Sequence, residues 1–124
     1  MSLAAPKSIN PKDWQSRGIP QNLLGHSIFV IDEGPANAPI ILFLHGFPTS
    51  SWVWNLIWAS LKKDYRLIAL DMLGFCFSDK PNRRDYSIHQ QADIVEALVK
   101  KNQLKEFHVL AHDYGDTVAQ ELLA

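Results

Sequence analysis

Three short stretches of this sequence carry residues whose types and spacing could do chemistry, and each follows a run of apolar residues. The first is His45-Gly46-Phe47-Pro48, behind Ile40-Ile41-Leu42-Phe43-Leu44. Gly46 permits a sharp backbone turn, after which the Phe47 N–H can be aimed at a developing negative charge as one half of an oxyanion hole. The second runs from Asp71 to Pro81 and holds the turn formers Gly74, Ser78 and Pro81. Asp71 and Asp79 are acidic groups, but carboxylates in such loops more often accept from backbone N–H groups, so a structural role is expected for both. Cys76 has no neighbouring histidine or helix start to lower its pKa and is not expected to be a reactive thiol.

The third stretch, Ala111-His112-Asp113-Tyr114-Gly115-Asp116, lies between an apolar strand and a helical segment. That is the context of a nucleophile elbow, where the backbone is strained and the residues two before and two after must be small. Ala111 and Gly115 meet that demand, and Asp113 stands at the nucleophile position. The helix that follows has unpaired N-terminal amides, so the Tyr114 N–H can supply the second half of the oxyanion hole. A plain helix N-cap at Asp113 would explain neither the small flanking residues nor the coincident His45–Pro48 loop. His112 is expected to point away from Asp113 and pack, and His45 to be structural.

An aspartate nucleophile narrows the reaction. The carboxylate is an anion at neutral pH and needs no base, but it is weak, so it suits a carbon activated by ring strain or a good leaving group. An epoxide or an alkyl halide fits better than an amide. The ester on Asp113 would be hydrolysed by a histidine-activated water, with the oxyanion held by the Phe47 and Tyr114 N–H groups. No serine occupies an elbow context, and the five histidines show no metal-binding spacing, so neither a serine esterase nor a zinc hydrolase is expected, and no cofactor.

The elements that must position these residues follow from the apolar pattern. Strands are expected at 19–24, 26–31, 39–44, 66–71 and 106–112, with a tight turn at Gly25. Helices are expected from about Ser51 to Lys62, from the capping box Ser87-x-x-Gln90 to near Asn102, and onward from Asp113 through Val118, Leu122 and Leu123. Trp54, Ile57, Trp58 and Leu61 form a stripe expected to face the sheet as core, not as an aromatic binding box. Ile88, Val95 and Leu98 do the same on the second helix. The fold class is α/β: a mostly parallel sheet with an antiparallel start and helices on both faces. Residues 1–18 read as a loosely attached arm and 19–124 as the core domain.

Composition sets outer bounds. The 124 residues are 47% hydrophobic and 20% charged with a net charge of −1, which leaves no basic footprint for nucleic acid. A small-molecule substrate is the expected partner. The single cysteine excludes an internal disulfide and favours a reducing compartment, with the cytoplasm expected first. No signal peptide or membrane segment is visible in this chain.

The ordered set H-G-F-P at 45–48, D-x-L-G-F-x-F-S-D-K-P at 71–81 and H-D-Y-G-D at 112–116 resembles the α/β-hydrolase branch that contains epoxide hydrolases and haloalkane dehalogenases. Within it, H-G-F-P-T-S-S at 45–51, Tyr86-Ser87-Ile88 and the run from His112 to Leu123 are most similar to mesoderm-specific-transcript-type hydrolases. The resemblance covers about residues 20–124 and implies the N-terminal part of that fold. It makes Asp113 the nucleophile and the Phe47 and Tyr114 backbones the oxyanion hole. Ala111 and Asp116 stand where many members have glycine, and Cys76 replaces a usual glycine, which is expected to crowd its loop.

Dehalogenases of the branch hold the halide with an indole directly after the nucleophile and often an asparagine after His-Gly. Here Tyr114 and Phe47 occupy those places, so an epoxide hydrolase-like function is expected ahead of a dehalogenase-like one. The acid and histidine of a triad in this chain order, and a cap with epoxide-protonating tyrosines, are expected after residue 124. A third expectation therefore stands beside the two enzymes: a non-catalytic fragment that needs a C-terminal half or completing chain.

Overall fold

The computed structural model describes residues 8–81 and 87–123. Helix α1 (Pro11–Arg17) leads into the hairpin β1 (Ile19–Leu23) and β2 (His26–Glu33). Then follow β3 (Ile40–Leu44), a 3₁₀ turn (Ser51–Trp54), α2 (Asn55–Leu61), β4 (Arg66–Leu70), α3 (Ile88–Lys101), β5 (His108–Ala111) and α4 (Tyr114–Leu123). The five strands form one sheet in the order β1-β2-β4-β3-β5, antiparallel from β1 through β2 to β4 and parallel across β4, β3 and β5. The expected antiparallel start, parallel continuation and helices on both faces are all present. Leu24 and Gly25 both have positive φ, as a two-residue type I′ hairpin turn requires.

Strand alternation divides the core in two. Ile28, Val30, Leu42, Leu44, Ile68 and Leu70 face α3 and α4, while Phe29, Ile31, Phe43, Leu67 and Ala69 face α1 and α2. Burial on both faces explains why β3 and β4 read as unbroken apolar runs. It also places β3 and β5 side by side, with Leu44 paired to Ala111, so the loops that leave their carboxyl ends emerge together.

Two expectations need correction. Residues 8–17 are not a loose arm: Asn10 caps α1, Trp14 is fully buried, and its Nε1 donates to Ser51 Oγ at 3.0 Å. Trp52 Nε1 donates to Ile9 O at 2.7 Å and Ile9 N donates to Asn55 Oδ1 at 2.8 Å, so polar ties anchor a segment with no apolar periodicity. The helix expected over 51–62 starts as a 3₁₀ turn, which shifts its phase. Trp58 is fully buried and Trp54 half-buried, but Ile57 points outward and Asn55 turns in instead. The aromatic residues nonetheless pack as core, Trp58 lying 4.9 Å from Trp14 edge-on and 5.2 Å from Phe43. The expected strand over 106–112 is shorter, spanning 108–111 at the sheet edge.

Glu33 ties three elements together. Its carboxylate accepts from Trp58 Nε1 at 2.9 Å and from Arg17 Nε at 2.9 Å, with Lys62 Nζ at 3.5 Å. Burial alone would push this carboxyl up, but the Arg17 and Trp58 hydrogen bonds and the Arg17 and Lys62 charges outweigh it and hold Glu33 below the ordinary 4.5. A carboxyl depressed on folding adds stability that is complete above its unfolded value and is lost as pH falls through its folded one. Glu33→Gln is therefore expected to cost about 1–2 kcal/mol in urea unfolding at pH 7, a cost that shrinks as pH falls below the ordinary carboxylate range. A deficit independent of pH would contradict this role.

Candidate active site

The loops after β3 and β5 meet at one edge of the sheet. Between β5 and α4 the chain turns sharply at Asp113, which has φ 55, a conformation costly for a residue with a side chain. The turn is closed by Gly115 N donating to His112 O at 2.9 Å and Asp116 N to Asp113 O at 3.0 Å. A Cβ on Gly115 would lie 2.3 Å from Leu44 O and 2.5 Å from His45 O, so only glycine lets α4 start this close to β3. The Asp113 side chain is solvent-exposed, and its Oδ2 accepts from Phe47 N at 3.3 Å. The Tyr114 N–H stands at the first position of α4, among the amides a helix leaves without an internal partner. Asp113, Phe47 and Tyr114 are thus brought together.

Gly46 serves a different purpose from the one its motif suggests. Its φ is not positive, but an added Cβ would come within 2.9 Å of Asp113 Cβ and of His112 Nδ1. The position demands space and not a special turn. His112 is exposed where packing was expected, because the strand ends at Ala111 and His112 lies in the turn beyond it. His45 is structural: fully buried, it holds its imidazole between Gly46 O on Nδ1 at 2.9 Å and Met72 N donating to Nε2 at 3.0 Å. Those partners fit the neutral Nδ1–H tautomer, and burial pushes the imidazole pKa down in agreement.

The loop 71–81 braces the site as its composition implied. Asp71 accepts from Ser51 N at 2.8 Å and Phe77 N at 3.1 Å, and Asp79 accepts from Ser27 N at 2.7 Å. Both carboxylates satisfy backbone amides. Cys76 has φ 41, which accounts for the glycine usual at this place, and burial pushes its thiol up, away from reactivity. Cys76→Gly is expected to raise stability by up to about 1 kcal/mol, since relief of the left-handed conformation exceeds the added freedom of the unfolded chain. Thermal melting checks this, and a lower midpoint would contradict it.

Two residues of the site have no role that its motifs assign. Phe75 brings its ring 5.0 Å from His45, 6.0 Å from Phe47 and 6.0 Å from Tyr114, forming an aromatic wall beside Asp113. Gln91 is fully buried in the first turn of α3. Its only sequence signal is a polar residue on the stripe Ile88, Gln91, Val95 and Leu98. Tyr86, part of one motif, lies outside the described residues. Among the described residues no cluster of three or more His, Cys, Asp or Glu could hold a metal ion, and no helix is long and apolar enough to cross a membrane. A cavity of about 460 Å³ lies at the opposite end of the strands, lined by Ile40, Glu106 and His108, away from Asp113.

Fold, elbow and adjoining loop together define the class. The α/β hydrolase fold model matches residues 39–124, and the chain belongs to that family. In sequence it is similar to the mesoderm-specific transcript homolog protein of Bos taurus, 49% identical over 125 residues that cover 95% of this chain and 37% of that protein. The chain thus spans little more than a third of that relative's length. Among solved structures it is similar to a haloalkane dehalogenase loop variant from Bradyrhizobium elkanii, with TM-score 0.77, 32% identity, and coverage of 82% of this chain and 33% of that one. It is also similar to an epoxide hydrolase from Vigna radiata, with TM-score 0.75, 27% identity, and coverage of 85% and 34%.

Proposed function

We propose that the protein is a hydrolase with an aspartate nucleophile, acting on epoxides through an ester on Asp113. The observation that carries this reading is the Asp113 carboxylate on a strained elbow with the Phe47 N–H at its Oδ2. Oδ1 attacks the less hindered epoxide carbon, the C–O bond opens, and the ring oxygen leaves as an alkoxide that takes a proton from a tyrosine we assign to a cap outside these 124 residues. Oδ2 becomes the ester carbonyl oxygen, already next to a donor. Water then attacks the ester carbon, and the charge on Oδ2 is held by Phe47 N–H and Tyr114 N–H, worth about 3 kcal/mol per donor. Collapse returns the Asp113 carboxylate and releases a diol. The general base and its acid partner are assigned to a segment C-terminal to this chain, and the 124 residues alone are assigned no turnover. A reducing, cytoplasmic setting is the compartment we assign.

The alkyl-halide reading is supported by the dehalogenase likeness, but it lacks an indole next to the nucleophile, where this chain has Tyr114. Offering the whole natural protein styrene oxide and 1-bromohexane separates the two. Diol formation without bromide release is expected, and bromide release without diol would overturn the epoxide assignment.

A further inference from the structure

Gln91 is a buried amide on the core-facing stripe of α3, with Ala92, Ile94 and Val95 around it in an apolar cluster. Such a group is tolerated only with its donors and acceptor satisfied. Gln91 spends them on one peptide. Its Oε1 accepts from Leu73 N at 3.2 Å and its Nε2 donates to Leu73 O at 2.8 Å.

Two residues beyond Leu73 lies Phe75, whose ring touches both Phe47 and Tyr114, each centroid 6.0 Å away. Gln91 thus reaches both donor residues through the Leu73–Phe75 segment. We propose that Gln91 is a positioning residue for the active site, holding the Leu73 peptide so that Phe75 sits between the two residues that supply the oxyanion donors. The proposal rests on the reading of Asp113 as nucleophile. It predicts which chemical step responds. The donors act where charge develops on Oδ2, in ester hydrolysis, whereas attack by the carboxylate disperses charge from Asp113 and needs them less.

The test uses the whole natural protein with styrene oxide as probe, quenched on the millisecond scale and weighed intact to follow the ester, with diol measured in parallel. Gln91→Met keeps the volume and removes the hydrogen bonds. It is expected to slow ester hydrolysis by about tenfold or more while ester formation is unchanged, so the ester accumulates and kcat and KM fall together. Gln91→Glu retains the acceptor for Leu73 N–H and is expected to recover part of the rate. Equal slowing of both steps, or fewer active molecules with both rate constants intact, would mean a merely structural role and overturn the proposal.

A second readout does not depend on turnover. In protein labelled with [ζ-¹³C]tyrosine, the Tyr114 resonance, assigned by its loss in Tyr114→Phe, is expected to shift in Gln91→Met while that of Tyr65 stays in place. An unmoved Tyr114 resonance would overturn the positioning. A shifted resonance in a protein whose wild type forms no ester would overturn the nucleophile reading and leave the coupling of Gln91 to Tyr114 through Phe75 standing.

Discussion

Asp113→Ala is expected to abolish epoxide opening, lowering turnover by at least about 10⁴-fold, the scale on which removal of a nucleophile acts in hydrolases. The loss should be chemical and not conformational. Asp113 is exposed, and its strained φ of 55 benefits from no side-chain packing. Asp113→Asn is the companion variant, because asparagine accepts the left-handed conformation readily and still offers an oxygen to Phe47 N–H. Both variants should melt within a few degrees of the wild type. Diol formation measured beside circular dichroism checks the claim, and a folded Asp113→Ala with full activity would sink it.

Gly115→Ala should instead destroy the site by breaking its frame. In an ordinary helix this change gains about 1 kcal/mol, because alanine is the better helix former. Here the new methyl group would sit 2.3 Å from Leu44 O and 2.5 Å from His45 O, and both are backbone atoms at the carboxyl end of β3. Neither can yield without separating α4 from β3. A cost of about 3 kcal/mol is expected, at the upper end for overpacking. Denaturant unfolding reads the sign directly. A neutral or stabilising result would mean that α4 does not start where the elbow requires.

Much of this geometry was legible because local pattern and global fold agree. The unbroken apolar runs at 40–44 and 66–70 announce strands buried on both faces, and Ala111 and Gly115 announce the tight turn around Asp113. Asp71 and Asp79 were readable as loop braces because short carboxylates among turn residues have backbone amides within reach. What escaped was set by long-range partners. Trp14 is buried against Trp58, with Ser51, 37 residues away, accepting from its indole, and nothing near position 14 hints at that. Gln91 is a polar residue on an otherwise apolar helix stripe, and its purpose there is not visible until Leu73 is placed against it. Ile57 belongs to an apolar stripe, yet the 3₁₀ turn before it rotates the stripe and leaves it outside. Gly46 was recognised as necessary but for a turn, when the actual demand is room for Asp113.

The central claim is that Asp113 attacks carbon and is regenerated by water at its own carboxyl carbon. A single turnover of the whole natural protein with excess enzyme over styrene oxide in ¹⁸O-labelled water addresses it directly. The account predicts one labelled oxygen in the peptide that carries Asp113 and an unlabelled diol. Label in the diol with none at Asp113 would mean direct attack by water and would contradict the account.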